Sequence, residues 1–151
     1  MTPRDREIPP EISSLFDDIE IDDIAAHPVT LGESTERDAI DLAISWAAHV
    51  RKIDTDRALP WSDRSVWTEH DLAAALHMRD FVQMALDRLP STLRERMRQV
   101  VAATDEQFRS YTIDDPRERM AVVAGIDLAG RGWWWRRVPE NGPIAQDLAG
   151  Y

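Results

Sequence analysis

Four histidines, at positions 27, 49, 70 and 77, are the side chains best suited to proton transfer near neutral pH. His70 and His77 lie seven residues apart on one predicted helix, which separates them by about 10.5 Å along its axis. Ligands of one metal ion sit roughly 2 Å from it, and helical pairs that share an ion are three or four residues apart. His49 joins either of them only through tertiary contact. No metal or other cofactor is therefore expected. The chain has no cysteine, which removes thiolate metal sites, disulfides and thiol nucleophiles. No serine is framed by glycines as at a nucleophile elbow. Gly130-Arg131-Gly132 lacks the third glycine and the preceding strand of a dinucleotide loop. The paired carboxylates Asp17-Asp18, Asp22-Asp23 and Asp114-Asp115 are neighbours in sequence rather than groups facing across a cleft. No catalytic residue is assigned on these grounds.

Two segments stand apart from ordinary surface. Trp133-Trp134-Trp135-Arg136-Arg137 concentrates the residue types that dominate interface hot spots. In an extended chain Trp133 and Trp135 would point one way and Trp134 the other, so one indole is hard to bury. The three indoles could close the open end of a bundle, contact a partner, or stack on single-stranded nucleic acid. A net charge of −10 argues against the last, because nucleic-acid affinity rests largely on neutralising phosphates. The second segment carries eight carboxylates between Asp5 and Asp23, interleaved with Ile, Leu and Phe. It could be a solvated terminus, dock on the chain's own Arg-rich second half, or bind a basic partner. Phe16, Asp17, Asp18, Glu20, Asp22 and Asp23, together with Trp133, Trp134, Trp135, Arg136 and Arg137, are the candidate partner-binding residues.

The elements that must position these residues are helical. Residues 1–33 read as an acidic arm, interrupted by Pro3, Pro9, Pro10 and Pro28. Ile12, Leu15, Phe16 and Ile19 follow helical spacing, after which Ile19, Ile21 and Ile24 suit extended chain. A helical domain over residues 34–151 follows. Its first helix runs from about Thr35 to Lys52, with Thr35 and Asp38 resembling a capping box. A long connector, Asp54 to Trp67, carries Trp61 and Trp67. The second helix spans about Glu69 to Leu89, capped by Thr68 and stopped by Pro90. Arg79 falls within its apolar arc and must snorkel or meet a carboxylate. The third runs from about Thr92 to Tyr111 behind a Thr92/Glu95 box, antiparallel to the second. The fourth starts near Asp115 and ends at Gly130, and a last helical turn covers Ile144 to Leu148.

These readings predict an all-α protein, a small antiparallel bundle of about four helices with an acidic N-terminal arm and a Trp-rich C-terminal segment. The 151 residues are one domain's worth of chain. No apolar run approaches the roughly 18 residues of a membrane span, and the first residues lack the apolar core of a signal peptide, so a cytoplasmic location is expected. Charge is lopsided: 12 of the 28 acidic residues but three of the 18 basic ones fall in residues 1–50. Arg outnumbers Lys 17 to one, in keeping with a GC-rich bacterial genome. The leading expectation is non-catalytic protein binding, an acidic inhibitor of a basic partner in the manner of immunity proteins and antitoxins. The alternatives are a small-molecule-binding domain or enzyme with a pocket lined by Trp61, Trp67 and Trp133 to Trp135, and a subunit of a larger assembly, including a homo-oligomer.

Overall fold

A computed structural model describes residues 5–151. The leader residues 1–4, with the proline at position 3 and the arginine at position 4, lie outside that range. The described chain is mostly helical, with two small antiparallel sheets added to the predicted helices. None of its helices is long and apolar enough to cross a membrane.

The N-terminal segment is more helical than its spacing suggests. Pro10 opens α1 (Pro10–Ser13), and Asp17 caps α2 (Asp18–Ala25) through a complete capping box. Asp17 accepts from the Glu20 amide at 2.8 Å, and the Glu20 side chain accepts from the Asp17 amide at 3.1 Å. This corrects the extended path expected after Ile19: the box starts a new helix whose phase turns Ile21 and Ile24 inward and Ile19 outward. Ile12, Phe16, Ile21, Ile24 and Val29 belong to the same buried cluster as the helices that follow. The segment read as an arm therefore shares the core of the body.

A hairpin of β1 (Val29–Leu31) and β2 (Thr35–Arg37) comes next, with Gly32 at φ +64° in its turn. Thr35 lies in this strand, so the proposed Thr35/Asp38 box does not form. Asp38 alone caps α3 (Ala39–Asp56), accepting from the Asp41 amide at 3.0 Å. The second long helix, α4 (Glu69–Arg88), begins behind the Thr68/Asp71 box. Leu89 and Pro90 separate it from α5 (Ser91–Tyr111), which starts one residue earlier than expected. Pro90 is its N-cap and has no side-chain bond to offer, so Thr92 sits inside the first turn and the Thr92/Glu95 box is not used. The long helices α3, α4 and α5 pack on one another around Trp46, Leu72, Leu76, Met97, Phe108 and Tyr111, all fully buried. Burying each such side chain stabilises the fold by roughly 1.5–3 kcal/mol.

The expected fourth helix is much shorter than its apolar stripe. Residues Thr112–Asp114 form β3, which pairs antiparallel with β4 (Arg137–Pro139). The helix α6 covers Arg119–Ala124 only, between Glu118 at φ 51° and Gly125 at φ 67°. Buried Asp115 holds its start, accepting from the Arg119 amide at 2.8 Å and from Arg119 Nε at 3.0 Å. The tryptophan run is not extended: Trp133–Arg136 form a 3₁₀ turn. The last helix, α7 (Pro143–Leu148), includes the predicted turn at Ile144 to Leu148.

Candidate partner-binding site

The acidic segment is fastened to α5 by its own side chains. Phe16 is buried beneath the Arg96 guanidinium, whose carbon lies 5.0 Å from the ring centroid. Arg96 also donates to the Leu15 carbonyl at 2.9 Å and pairs with Glu20. The hydrogen bond from Arg96, followed by that from the Asp17 amide, holds the Glu20 carboxyl below its ordinary range. Glu20 in turn raises the Arg96 guanidinium above its ordinary value. Phe16 is therefore part of the core, and half-buried Glu20 is paired with Arg96.

The other face of α2 is different. Ile19 is 78% exposed, the most exposed large apolar side chain among the described residues. Asp17, Asp18 and Asp23 around it are exposed and Asp22 is half-buried. Ile19, Asp22 and Asp23 stand at i, i+3 and i+4, so they share one side of the helix. His27 closes its end, with Nδ1 2.8 Å from the Asp23 carbonyl oxygen. The result is an exposed aliphatic side chain with Asp22 and Asp23 on its own side of a helix whose opposite side is core. Sequence reasoning did not single out Ile19. The signal was present in Asp17-x-x-Glu20, which begins a new helix and so reverses the side on which Ile19 falls.

The tryptophan run lies mostly in the interior. Trp135 is fully buried and Trp134 nearly so. Both indole N–H groups donate to Asp80 Oδ1 on α4 at 2.9 Å, while Arg131 donates to Oδ2 at 3.0 Å. Gly132 is required here, because a Cβ at that position would overlap ring atoms of Trp134. Half-buried Trp133 lies under the Arg109 guanidinium, 3.7 Å from its centroid. Arg136 reaches the Leu128 carbonyl and Glu118. Arg137 bonds the Thr112 carbonyl at 2.7 Å and Asp114 at 2.9 Å, which fixes the β3–β4 ribbon. Trp134 and Trp135 thus pack against the middle of α4.

Beneath them lies a buried ion pair. Arg79 donates to Asp105 through Nε at 2.9 Å and through a terminal nitrogen at 3.0 Å, and Trp46 Nε1 donates to the same carboxylate at 3.0 Å. The Trp134 ring covers Arg79, with 4.2 Å from guanidinium carbon to ring centroid. Arg79 thus meets a carboxylate rather than snorkelling. The pair ties α4 to α5 and to the tail.

The tryptophans do not share one pocket. Trp61 and Trp67 line a hollow of about 350 Å³ with Asp63, Arg64 and Asp147, and Trp61 Nε1 donates to Asp147. Trp134 borders a separate hollow on α4. The histidines are apart too: His49 packs at a tilt against Trp67, His77 meets Trp135 edge to face, and His70 lies beside Glu69. Among the described residues no three His, Asp or Glu side chains gather in a way that could hold a metal ion. Compared with known proteins, the chain matches no family model, no curated protein and no solved structure.

Proposed function

We propose that this chain is a non-catalytic binding protein, an acidic inhibitor of the immunity-protein or antitoxin kind, and that it caps a basic partner. We read its architecture as an all-α bundle of about four helices that serves as a rigid support, working in the cytoplasm of a bacterium. The observation that carries the proposal is Ile19, exposed on α2 among Asp17, Asp18, Asp22 and Asp23. An apolar anchor inside a charged rim is the anatomy of an interface hot spot, in which the anchor supplies affinity and the charges select the partner and speed encounter. Anchoring through Phe16, Ile21 and Ile24 means that little ordering entropy is lost on binding. Trp134, Trp135 and Arg137 act as scaffold in this reading, and the partner surface is the α2 face alone.

The test uses surface variants, because deleting residues 1–24 would remove four core side chains, Ile12, Phe16, Ile21 and Ile24. The partner is isolated from the native host by capture on the full chain and identified. Ile19→Ala is then expected to weaken its binding by about tenfold or more, and Asp18→Asn/Asp22→Asn/Asp23→Asn to slow association and flatten its salt dependence. Unchanged affinity and association rate in the combined variant would defeat the proposal.

A further inference from the structure

The turn between β4 and α7 carries a chemistry of its own. Asn141 is the single asparagine of the chain, and Gly142 follows it. Gly142 has φ +95°, and a Cβ there would come within 2.8 Å of the Cα of Arg57, the residue that ends α3, so packing demands glycine. Nothing comparable constrains position 141, whose side chain is exposed. An asparagine before a glycine holds its side-chain amide carbon one ring closure away from the next backbone nitrogen. The glycine puts no side chain in the way of that attack.

Arg57 prepares the electrophile, and the other reacting atoms are left free. Its guanidinium donates to Asn141 Oδ1 at 2.8 Å, the oxygen on which negative charge collects when the amide carbon is attacked. Asn141 Nδ2, the departing atom, has no hydrogen-bond partner among the described residues. The Gly142 N–H, the nucleophile once deprotonated, donates to none of them either.

We propose that Asn141-Gly142 is a self-modifying site, at which the Gly142 nitrogen displaces ammonia from the Asn141 side chain with Arg57 promoting the step. The bond from Gly142 N to Asn141 Cγ forms and the Cγ–Nδ2 bond breaks. The proton lost by the Gly142 nitrogen leaves on Nδ2 as ammonia, and water, the only co-reactant, then opens the cyclic imide. Opening at Cγ leaves an aspartate, whose carboxylate lies where the amide oxygen already meets Arg57. Opening at the main-chain carbonyl routes the backbone through the side chain as an isoaspartate, one carbon or about 1.5 Å longer. The turn has no room for that carbon, since Gly142 already touches Arg57 and the following Pro143 and Ile144 are buried. The isoaspartate therefore unseats α7, and with it the bond from the Trp61 indole to Asp147.

The full chain is aged in mildly alkaline buffer at physiological temperature beside the acetylated peptide Val138–Tyr151, and both are followed by mass spectrometry. Trypsin releases the same segment from the aged protein, because no Lys or Arg follows Arg137. Expected is a gain of about one dalton at residue 141 of the folded chain, amide nitrogen being exchanged for oxygen. Its rate is expected within about tenfold of the peptide's and to fall by about threefold or more in Arg57→Met. Asn141→Gln, which must close a larger ring, is expected to gain nothing over the same period. In nitrogen-15 spectra the isoaspartate fraction is expected to shift the amides of residues 143–148 and the Trp61 indole N–H. Asn141→Asp, which adds the charge without the extra carbon, is expected to leave them in place. No gain in the folded chain once the peptide has converted, an equal or faster rate in Arg57→Met, or α7 resonances unmoved in the isoaspartate fraction would overturn the proposal.

Discussion

The interior of the molecule is decided by a few polar atoms that must be satisfied. Asp105 receives both the Arg79 guanidinium and the Trp46 indole. Removing one partner of a buried ion pair leaves an uncompensated charge, so Asp105→Ala is expected to lower stability by about 3–5 kcal/mol in urea unfolding. Removing both charges in Arg79→Met/Asp105→Ala is expected to recover part of that loss, since the stranded guanidinium is gone. The remaining deficit, about 1–3 kcal/mol, belongs to the indole N–H of Trp46, which no longer has an acceptor. A double variant no more stable than Asp105→Ala alone would show that the pair stabilises by packing rather than by charge. The need for a partner was legible from Arg79 in the apolar arc of its helix. Its partner carried a local mark as well, since Asp105 falls in the buried stripe of α5 between Val101 and Phe108, but the pairing across 26 residues is set only by the tertiary fold.

Among the elements, legibility followed locality. The helices α4 and α5 could be read because an apolar period, interrupted by Arg79 in one and Asp105 in the other, runs through each and Pro90 separates them. The helix α2 could not, since its phase depends on a two-residue box that interrupts the period of Ile12, Leu15 and Phe16. The 3₁₀ turn of the tryptophans was invisible for another reason: it exists because two indoles converge on Asp80, 54 and 55 residues earlier in the chain. The α6 stripe misled in the opposite direction, as Gly125 and the β3–β4 pairing cut short a helix that the apolar spacing would have allowed. The docking of α2 also has a pH dependence whose sign is set by Glu20. Its folded-state pKa lies below the ordinary 4.5, chiefly through the bond from Arg96. The contribution is complete above that ordinary value and is lost as pH falls through the depressed one. Amide resonances of α2 are therefore expected to shift toward an undocked state as the solution is taken to about pH 3, with less change in Glu20→Gln. Identical titrations of the two proteins would exclude this role for Glu20.

At the scale of the whole molecule, both flanking segments are secured to the α4–α5 pair. The N-terminal segment is held at Arg96 and the tryptophan tail at Asp80, and these attachments span 76 and 55 residues. The pair itself is joined by two residues, Leu89 and Pro90. Surface charge is divided in the same way, with carboxylates concentrated in the first 50 residues and arginines in the body they cover. This division made the docking of the acidic segment on the Arg-rich half readable as one of three possibilities, and the Glu20–Arg96 pair is its realised form.

That layout carries a schedule for assembly. Contacts within a short hairpin close small loops, whereas those at Arg96 and Asp80 close loops several times longer and at greater entropic cost. The central helices are thus expected to gain exchange protection first during refolding, with α2 and residues 133–139 following. Pulse-labelling of amide protons measures that order, and simultaneous protection everywhere would contradict it. Between the two stages the indoles that end on Asp80 are still in water, so the refolding chain is most prone to clump before residues 133–139 dock.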